Sequence, residues 1–196
     1  MNKYKVIAIC GKSASGKDTF LRLLLQLFPW LHKIVNSTTR PQRDYEVNGK
    51  DYYFLSLEEF IEQDHIQNKM IETAQFREWY YGTSIEALKL NKINVGVFNP
   101  TGLYNLTKRD DIDLYVVYVN ATDKERLLRS LMREENPDVD EIIRRYLADK
   151  EDFSFLSQIY EPDFTVDNIN QTSIGLENKA RMVYANLPRH WAKEAN

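Results

Sequence analysis

Short apolar runs alternate along the chain with stretches in which apolar residues recur every three or four positions. Residues 6–10 form a continuous apolar run, which is typical of a strand buried on both faces of a parallel sheet. After a glycine-bounded loop, apolar residues recur at helical spacing over 20–28, and Pro29 ends that pattern. Further strands are predicted at 32–36, 93–98, 114–119 and 164–166, and further helices at 142–153 and 173–187. This alternation predicts an α/β fold with a mainly parallel sheet flanked by helices.

Local signals add three helix starts and one turn. Ser56-Leu57-Glu58-Glu59 matches a capping box and predicts a helix that begins at about residue 57. The same signature recurs at residues 83–86 and 122–125. The pair Asn48-Gly49 favours a type I′ hairpin turn.

Composition and charge limit the class of protein. The 196 residues are 43% hydrophobic and 28% charged with a net charge of −3, which fits one globular domain over 1–196 and argues against binding duplex nucleic acid. Cys10 is the only cysteine, so no disulfide framework can form within the chain. No apolar run approaches the roughly 20 residues that span a bilayer. We therefore expect a cytoplasmic protein that binds neither nucleic acid nor membrane.

The loop after the first predicted strand, Gly11-Lys12-Ser13-Ala14-Ser15-Gly16-Lys17, fits the first seven positions of the Walker A pattern. Glycine at both ends lets the backbone curl so that successive N–H groups point at a polyphosphate, and the following helix adds the positive end of its dipole. Lys17 would reach the β and γ phosphates of ATP. The predicted ATP-binding residues are Gly11, Ser13, Ala14, Ser15, Gly16, Lys17, Asp18 and Thr19.

The eighth Walker A position departs from the pattern. It normally carries Ser or Thr, whose hydroxyl holds Mg²⁺, and here it is Asp18, followed by Thr19. A carboxylate is a good ligand for a hard cation, so we expect Mg²⁺ to be bound at or near Asp18, with Thr19 in reserve. The alternative is that Asp18 is only an acidic residue in the first turn of a helix.

A second set of motifs begins with Ser37-Thr38-Thr39-Arg40-Pro41-Gln42-Arg43 and continues with Glu46-Val47-Asn48-Gly49-Lys50-Asp51-Tyr52-Tyr53-Phe54. Ile71-Glu72-Thr73-Ala74-Gln75-Phe76 and Tyr80-Tyr81-Gly82-Thr83 follow downstream. With the phosphate loop, these stretches resemble guanylate kinases, which transfer the γ-phosphate of ATP to GMP or dGMP. The resemblance covers most of residues 5–168. It implies a P-loop NTPase core, an inserted nucleoside monophosphate (NMP) subdomain at 37–93 and a helical lid at 126–146.

The resemblance also assigns an acceptor site. Arg40 and Arg43 are planar donors suited to a dianionic phosphate, and the hydroxyls of Tyr52 and Tyr81 add donors without charge. The resemblance implies that these four residues hold the acceptor phosphate and that Glu72 reads the guanine edge. It implies the same substrate-binding role for Asn36, Thr83 and Asn99.

Three of these positions depart from the family pattern. Asn36 stands where the family usually has Ser, and Thr83 keeps a hydroxyl where the family has Ser. Asn99 stands at the second of two acids in the family's Asp-x-Asp-x-x-Gly segment, and the first acid is absent too. The alternative role for Thr83 is that of a helix cap.

The predicted lid carries several arginines. Arg126, Arg129 and Arg133 lie near one helical face, and the resemblance implies that Arg129, Arg133 and Arg145 close over the ATP phosphates, with Arg144 as the rival of Arg145. The alternative for each is a surface ion pair with a neighbouring acid. The predicted catalytic residues are Lys17, Arg40, Arg129, Arg133 and Arg145.

The leading hypothesis is an ATP- and Mg²⁺-dependent kinase for GMP or dGMP that acts as a monomer or homodimer. Phosphoryl transfer needs positive charge and exclusion of water rather than a general base. A second hypothesis keeps the fold and changes the acceptor to another deoxynucleoside monophosphate or a sugar phosphate. A third is a catalytically silent guanylate-kinase-like module that binds proteins.

Overall fold

The computed structural model describes residues 3–44, 46–67, 69–76, 78–133, 135–169 and 173–194. The strands are β1 (Tyr4–Cys10), β2 (His32–Lys33), β3 (Ser37–Thr38), β4 (Tyr53–Phe54), β5 (Met70–Phe76), β6 (Trp79–Ser84), β7 (Ile93–Val97), β8 (Ile112–Asn120) and β9 (Phe164–Asp167). The α-helices are α1 (Lys17–Leu27), α2 (Leu57–Ile61), α3 (Pro100–Thr107), α4 (Asp123–Leu131), α5 (Val139–Ile159) and α6 (Ser173–Ala185). A π-helical turn covers Glu62–Ile66, and 3₁₀ helices cover Ile85–Ala87 and Arg189–Glu194.

The main sheet is parallel and has the strand order β2-β7-β1-β8-β9. Its central strand β1 is buried on both faces, which is why it reads as an unbroken apolar run. Ile7 and Ile9 pack with α1 and α6, whereas Val6, Ala8 and Cys10 pack with α3 on the opposite face. The predicted α/β class with helices on both faces of a parallel sheet is confirmed.

A second, mixed sheet has the order β4-β3-β6-β5. β3 pairs in parallel with β4 and antiparallel with β6, and β5 pairs antiparallel with β6. All four of these strands fall within the range 37–93 that the sequence assigns to an acceptor-binding insertion. The functional labels of the insertion and of the lid at 126–146 stay predictions.

The structure corrects two expectations around this sheet. The strand expected over 32–36 is shorter, because β2 ends at Lys33 and the chain crosses to the second sheet at Ser37. The type I′ hairpin at Asn48-Gly49 is wrong: Gly49 has φ +76°, but Asn48 does not share that conformation, and the flanking strands β3 and β4 are parallel. The Asn48 side chain instead accepts a hydrogen bond from the Phe54 N–H at 3.0 Å.

Two of the three capping boxes are confirmed. Ser56 caps α2 and Thr122 caps α4, and in each box the N–H of the capping residue donates to the glutamate side chain three positions later. The box at 83–86 is wrong, because Thr83 lies in β6 and Ser84 caps the following 3₁₀ helix by accepting from the Glu86 N–H. Pairing with β5 therefore outweighs the local capping signal at Thr83. No helix in the described part of the chain is both long and apolar enough to cross a bilayer.

Candidate active site

The phosphate loop is a tight turn between β1 and α1. Gly11 and Gly16 have φ of +150° and +102°, and Ala14 lies in the left-handed region at +57°. A Cβ atom at Gly11 would lie 2.3 Å from the carbonyl oxygen of Val119 in β8, so only glycine fits there. The turn closes with a hydrogen bond from the Ser15 N–H to the Lys12 carbonyl at 3.1 Å.

Lys17 turns back over this loop. Its Nζ donates to the Lys12 carbonyl at 2.9 Å. Desolvation lowers the pKa of Lys17, and the charges of Asp18 and Asp149 oppose that shift. A phosphate entering the loop would add negative charge and favour the protonated amine further.

One open pocket of about 1050 Å³ joins the three regions that the sequence predicts to handle phosphate. Its lining includes residues of the phosphate loop, the four residues assigned to the acceptor phosphate, and four arginines of the predicted lid, one of which is Arg126. The predicted site residues that line this pocket are Ser13, Ala14, Gly16, Lys17, Asp18, Thr19, Arg40, Arg43, Tyr52, Tyr81, Arg129, Arg133 and Arg145. The sequence did not single out Arg22, Trp79 or Tyr146, which also line it.

The acceptor end of the pocket is built around Arg40. Arg40 is 8% exposed; its guanidinium donates to Glu46 Oε1 and to the Pro41 carbonyl, both at 2.7 Å, and lies 5.7 Å from the centre of the Tyr52 ring. The hydrogen bond that Arg40 donates to Glu46 raises the pKa of Arg40. Glu46 also accepts the Arg43 N–H at 2.9 Å, so one carboxylate orients the loop that carries both arginines. Glu46 stood inside the quoted motif, but nothing in its spacing marked it as the partner of Arg40.

The residues assigned to the base form a separate cluster, in which Glu72 and Thr83 are buried, Asn36 is half-buried and Asn99 is exposed. A bulge in β5 between Met70 and Glu72 places Glu72 opposite Thr83 of β6. The Thr83 hydroxyl donates to Glu72 Oε1 at 3.0 Å and lies 3.3 Å from Asn36 Oδ1. The hydroxyl therefore faces the predicted base site, and the helix-cap role is wrong.

Glu72 carries a buried oxygen without a partner. The residue is 8% exposed, and its Oε2 has no hydrogen-bond partner among the described residues. Burial raises the pKa of Glu72, while the Thr83 hydroxyl and then the nearby Asn99 amide oppose that shift. A Cβ atom at Gly102 would lie 2.8 Å from Glu72 Cγ, so the missing side chain there makes room for the carboxylate.

The side chain of Asn99 is fixed by a hydrogen bond at the start of α3. Its Oδ1 caps α3 by accepting the Gly102 N–H at 2.7 Å. The amide nitrogen is therefore the group that Asn99 has left to offer a ligand. None of Asn36, Glu72, Thr83 and Asn99 lines the phosphate pocket, so the structure does not bring the base cluster and the phosphate groups into one cavity.

The lid arginines differ in their contacts. Arg129 donates to the Ser15 carbonyl at 3.3 Å and to the Asn168 carbonyl at 2.7 Å, which ties α4 to the phosphate loop. Arg133 lies beyond the end of α4 and lines the pocket. Of the two rivals on α5, Arg145 lines the pocket and Arg144 does not.

Glu141 holds both rival arginines. Arg144 donates to its two oxygens at 2.7 and 3.0 Å, and Arg145 donates to Oε1 at 2.7 Å. The Arg144 hydrogen bond is the largest of the effects that lower the pKa of Glu141 to about 2, and Arg145 adds to it. Both arginines thus make the surface ion pair that was the alternative, and only the pocket lining favours Arg145 over Arg144 for the lid.

The exposed side chains of Asp18 and Thr19 lie on the pocket wall. Within the described ranges, no three His, Cys, Asp or Glu residues are grouped so that they could hold a metal ion. Mg²⁺ commonly binds with one or two carboxylates, waters and the phosphates of a substrate. One carboxylate beside a phosphate loop fits that pattern, so the residues present suit Mg²⁺ that arrives with a nucleotide.

Comparison with known proteins decides the family. The family model described as guanylate kinase matches residues 3–178, which is most of the chain. The chain belongs to the guanylate kinase family. This agrees with the order of its elements, with a phosphate loop before α1 and a second sheet inserted between β2 and β7.

Individual relatives agree with this result. A guanylate kinase of Nostoc sp. is 46% identical over 92 residues, 47% of this chain, and the chain spans a little under half of that relative, 45%. A guanylate kinase of Geobacter sulfurreducens is 33% identical over 148 residues, 70% of this chain and 68% of the relative. The crystal structure of guanylate kinase from Anaplasma phagocytophilum has a TM-score of 0.59 at 20% identity, over 94% of this chain and 85% of that one, which shows the shared fold.

A longer relative contains a segment that is similar in sequence to this chain. Protein PALS1 of Danio rerio is 27% identical over 201 residues, which covers 98% of this chain and only 29% of that protein. Membership of the family therefore leaves open whether a given member is a separate kinase or one part of a larger protein.

The buried carboxylate yields the first testable prediction. Burial raises the folded-state pKa of Glu72, so its ionisation destabilises the fold: the cost is absent below the unfolded pKa and complete above the folded pKa. We expect Glu72→Gln to unfold at an equal or higher temperature than the wild type at pH 7, with the difference vanishing below about pH 4. The kcat/KM for GMP should fall roughly 10- to 100-fold, because one or two charged hydrogen bonds are lost.

Differential scanning calorimetry and steady-state kinetics measure the two effects. Glu58→Gln, at an exposed position of α2, is the matched control and should change neither quantity. A Glu72→Gln protein that unfolds earlier at both pH values and retains its kcat/KM would show that the carboxylate is structural.

Proposed function

We propose that this protein transfers the γ-phosphate of ATP to GMP or dGMP and so forms ADP and GDP or dGDP. The supporting observation is the single pocket lined by the phosphate loop, the acceptor arginines and tyrosines, and the lid arginines. Phosphoryl transfer requires two phosphates in line, surrounded by positive charge and shielded from water. A pocket with cationic groups on three sides meets the charge requirement.

The donor nucleotide binds at the phosphate loop. Backbone N–H groups that curl around a polyphosphate can donate to its oxygens. The Ser13 N–H is an exception, because it donates to the Asp149 carboxylate. Lys17 neutralises charge on the phosphate being transferred, and Arg129, Arg133 and Arg145 add positive charge from the lid. Arg129 lies on α4 and Arg145 on α5, so a movement of these helices towards the pocket would also exclude water.

The acceptor phosphate binds at Arg40 and Arg43. Both guanidinium groups line the pocket, and Glu46 keeps Arg40 in a fixed orientation before any ligand enters. Tyr52 and Tyr81 can donate through their hydroxyls without adding charge, so the acceptor phosphate stays dianionic and nucleophilic. The ring centres of these two tyrosines are 6.1 Å apart.

The base binds at Glu72, and its chemistry favours guanine. Guanine presents its N1–H and N2 amino groups side by side, so that one carboxylate can accept from both. Adenine presents a bare N1 lone pair, which would face the carboxylate and leave a buried acceptor unpaired. The unpartnered Oε2 of Glu72 and the remaining amide donor of Asn99 match the donor and O6 acceptor edge of guanine.

Mg²⁺ would be held by Asp18, with Thr19 in reserve, together with the phosphates of the bound nucleotide. When bound, the metal neutralises charge on the phosphates. The cytoplasmic location and the monomer or homodimer state stay predictions.

The other hypotheses rest on particular residues. Another acceptor is favoured by Asn36 and Asn99, which alter the family's base-binding residues. A silent module is favoured only by the likeness to PALS1, and the retained Gly11, Gly16 and Lys17 argue against it.

A panel of acceptors tests the proposed function. The purified protein is incubated with ATP, Mg²⁺ and, in turn, GMP, dGMP, AMP, dTMP and ribose 5-phosphate, and products are quantified by anion-exchange chromatography. We expect GMP or dGMP to have the highest kcat/KM by at least roughly tenfold, which corresponds to one charged hydrogen bond. A higher value for AMP or dTMP would shift the assignment to another acceptor, and no product from any acceptor would favour the silent module.

The metal assignment has its own test. Asp18→Ala should raise the Mg²⁺ concentration that gives half-maximal rate, because one oxygen ligand is lost, whereas Asp18→Ser should be tolerated. Rates are measured against free Mg²⁺ at fixed ATP, with Asp110→Ala, an exposed site outside the pocket lining, as control. Unchanged Mg²⁺ dependence in Asp18→Ala would make Asp18 only a first-turn helix acid.

A further inference from the structure

Ser13 of the phosphate loop is enclosed by two side chains from the lid helices. Its N–H donates to Asp149 Oδ2 at 2.8 Å, and its hydroxyl lies 3.2 Å from Asp149 Oδ1. Its carbonyl accepts from Arg126 Nε at 2.9 Å. Every polar group of this loop residue is therefore bonded to either Arg126 or Asp149.

Arg126 and Asp149 also bond to each other in the interior. Arg126 is 2% exposed and Asp149 is 8% exposed, and a second guanidinium nitrogen of Arg126 donates to Asp149 Oδ2. The third nitrogen donates to Asp123 at 2.9 Å, and the Tyr146 hydroxyl donates to the same Asp123 carboxylate at 2.7 Å. The buried charges are thus paired and hydrogen-bonded, as burial requires.

The pair connects the phosphate loop to both helices of the predicted lid. Arg126 lies one turn before Arg129 on α4, and Asp149 lies one turn after Arg145 on α5. On α4, Arg126 contacts Ser13 and, like Arg129, lines the pocket; on α5, the pocket-lining Arg145 lies one turn from Asp149, which contacts Ser13. The position of the loop is consequently fixed relative to the arginines that face the pocket.

We propose that Arg126 and Asp149 are positioning residues for ATP: together they hold Ser13 and the phosphate loop in place, and Arg126 neutralises a carboxylate that would otherwise repel the polyphosphate. The inference rests on the proposed function in that it takes ATP as the ligand. It concerns two residues that lie outside the Walker A motif.

The two halves of the pair have opposite electrostatic effects on the loop. Asp149 touches the loop through Ser13, and its charge is felt at Lys17, whose pKa is lowered by desolvation and raised by Asp149 and other acids. Loss of Arg126 leaves a negative charge beside the phosphate site, whereas loss of Asp149 leaves a positive one. A buried charge is screened poorly by water and therefore acts strongly on a nearby phosphate. Loss of Arg126 should consequently weaken ATP binding, and loss of Asp149 should not weaken it.

A set of charge variants separates positioning from plain stability. ATP is titrated by calorimetry into the wild type, Arg126→Gln, Asp149→Asn and the double variant, at 50 mM and 500 mM KCl, and unfolding midpoints are measured in parallel. Arg126→Gln should raise the Kd for ATP about tenfold or more at low salt, and the increase should shrink at high salt. Asp149→Asn should lower the unfolding midpoint as much, but it should lower the Kd for ATP, by less than about threefold.

Two rescue variants sharpen the result. The double variant removes both charges and should return the Kd to within about threefold of the wild type. Arg126→Lys keeps the charge and loses the forked geometry, so it should recover most of the affinity and only part of the stability. The matched controls, Lys124→Gln on α4 and Asp152→Asn on α5, make the same charge changes at exposed positions and should have little effect.

The inference would be overturned if Arg126→Gln and Asp149→Asn changed the Kd for ATP equally, or if the changes were the same at both salt concentrations. The pair would then be a structural ion pair only. The same conclusion follows if only the unfolding midpoint moves. A wild-type protein that does not bind ATP would overturn the proposed function itself. The wild-type titration therefore distinguishes the two failures.

Discussion

The phosphate loop depends on close contact between backbone atoms at Gly11. Its position leaves no space for a Cβ atom against the Val119 carbonyl, and this carbonyl belongs to β8, the neighbour of β1 in the main sheet. The buried central strand thus fixes where the loop starts, and α1 fixes where it ends. The acceptor arginines, the lid helices and the pocket are arranged around this one turn.

The residues predicted to bind phosphate and those predicted to bind the base lie in different environments. The phosphate groups of a nucleotide would meet guanidinium and ammonium groups in an open pocket, where long-range attraction works without close fit. The base would meet the buried Glu72 and Thr83 beside the half-buried Asn36, and an unpaired polar atom is costly where it is buried. This division lets attraction to phosphate serve any nucleotide while discrimination falls on a few buried hydrogen bonds.

The sequence predicts those features that depend on short stretches of chain. The phosphate loop, the strands of the main sheet and the caps at Ser56 and Thr122 are local patterns, and the structure contains each of them. Thr83 shows the limit: its spacing to Glu86 fits a capping box, but pairing with β5 keeps it in a strand. Asn48-Gly49 shows the same limit, since its turn joins parallel strands.

Long-range contacts explain most of what the sequence did not reveal. Arg126 and Asp149 are 23 positions apart and meet only because α4 and α5 pack together beside the phosphate loop. Glu46 was quoted within a motif, yet its bond to Arg40 depends on how the loop folds back. The choice between Arg144 and Arg145 likewise depends on which side of α5 faces the pocket, and that side is known only from the packing.

Phosphorus-31 NMR tests the central claim most directly, because it follows the transferred group itself. The wild-type protein is mixed with ATP, Mg²⁺ and GMP, and the same mixture with Lys17→Ala serves as the control. The account predicts that the γ-phosphate signal of ATP declines as two β-phosphate signals grow, those of ADP and GDP, and that Lys17→Ala gives neither. Release of inorganic phosphate without GDP, or GDP formation by Lys17→Ala at the wild-type rate, would contradict it.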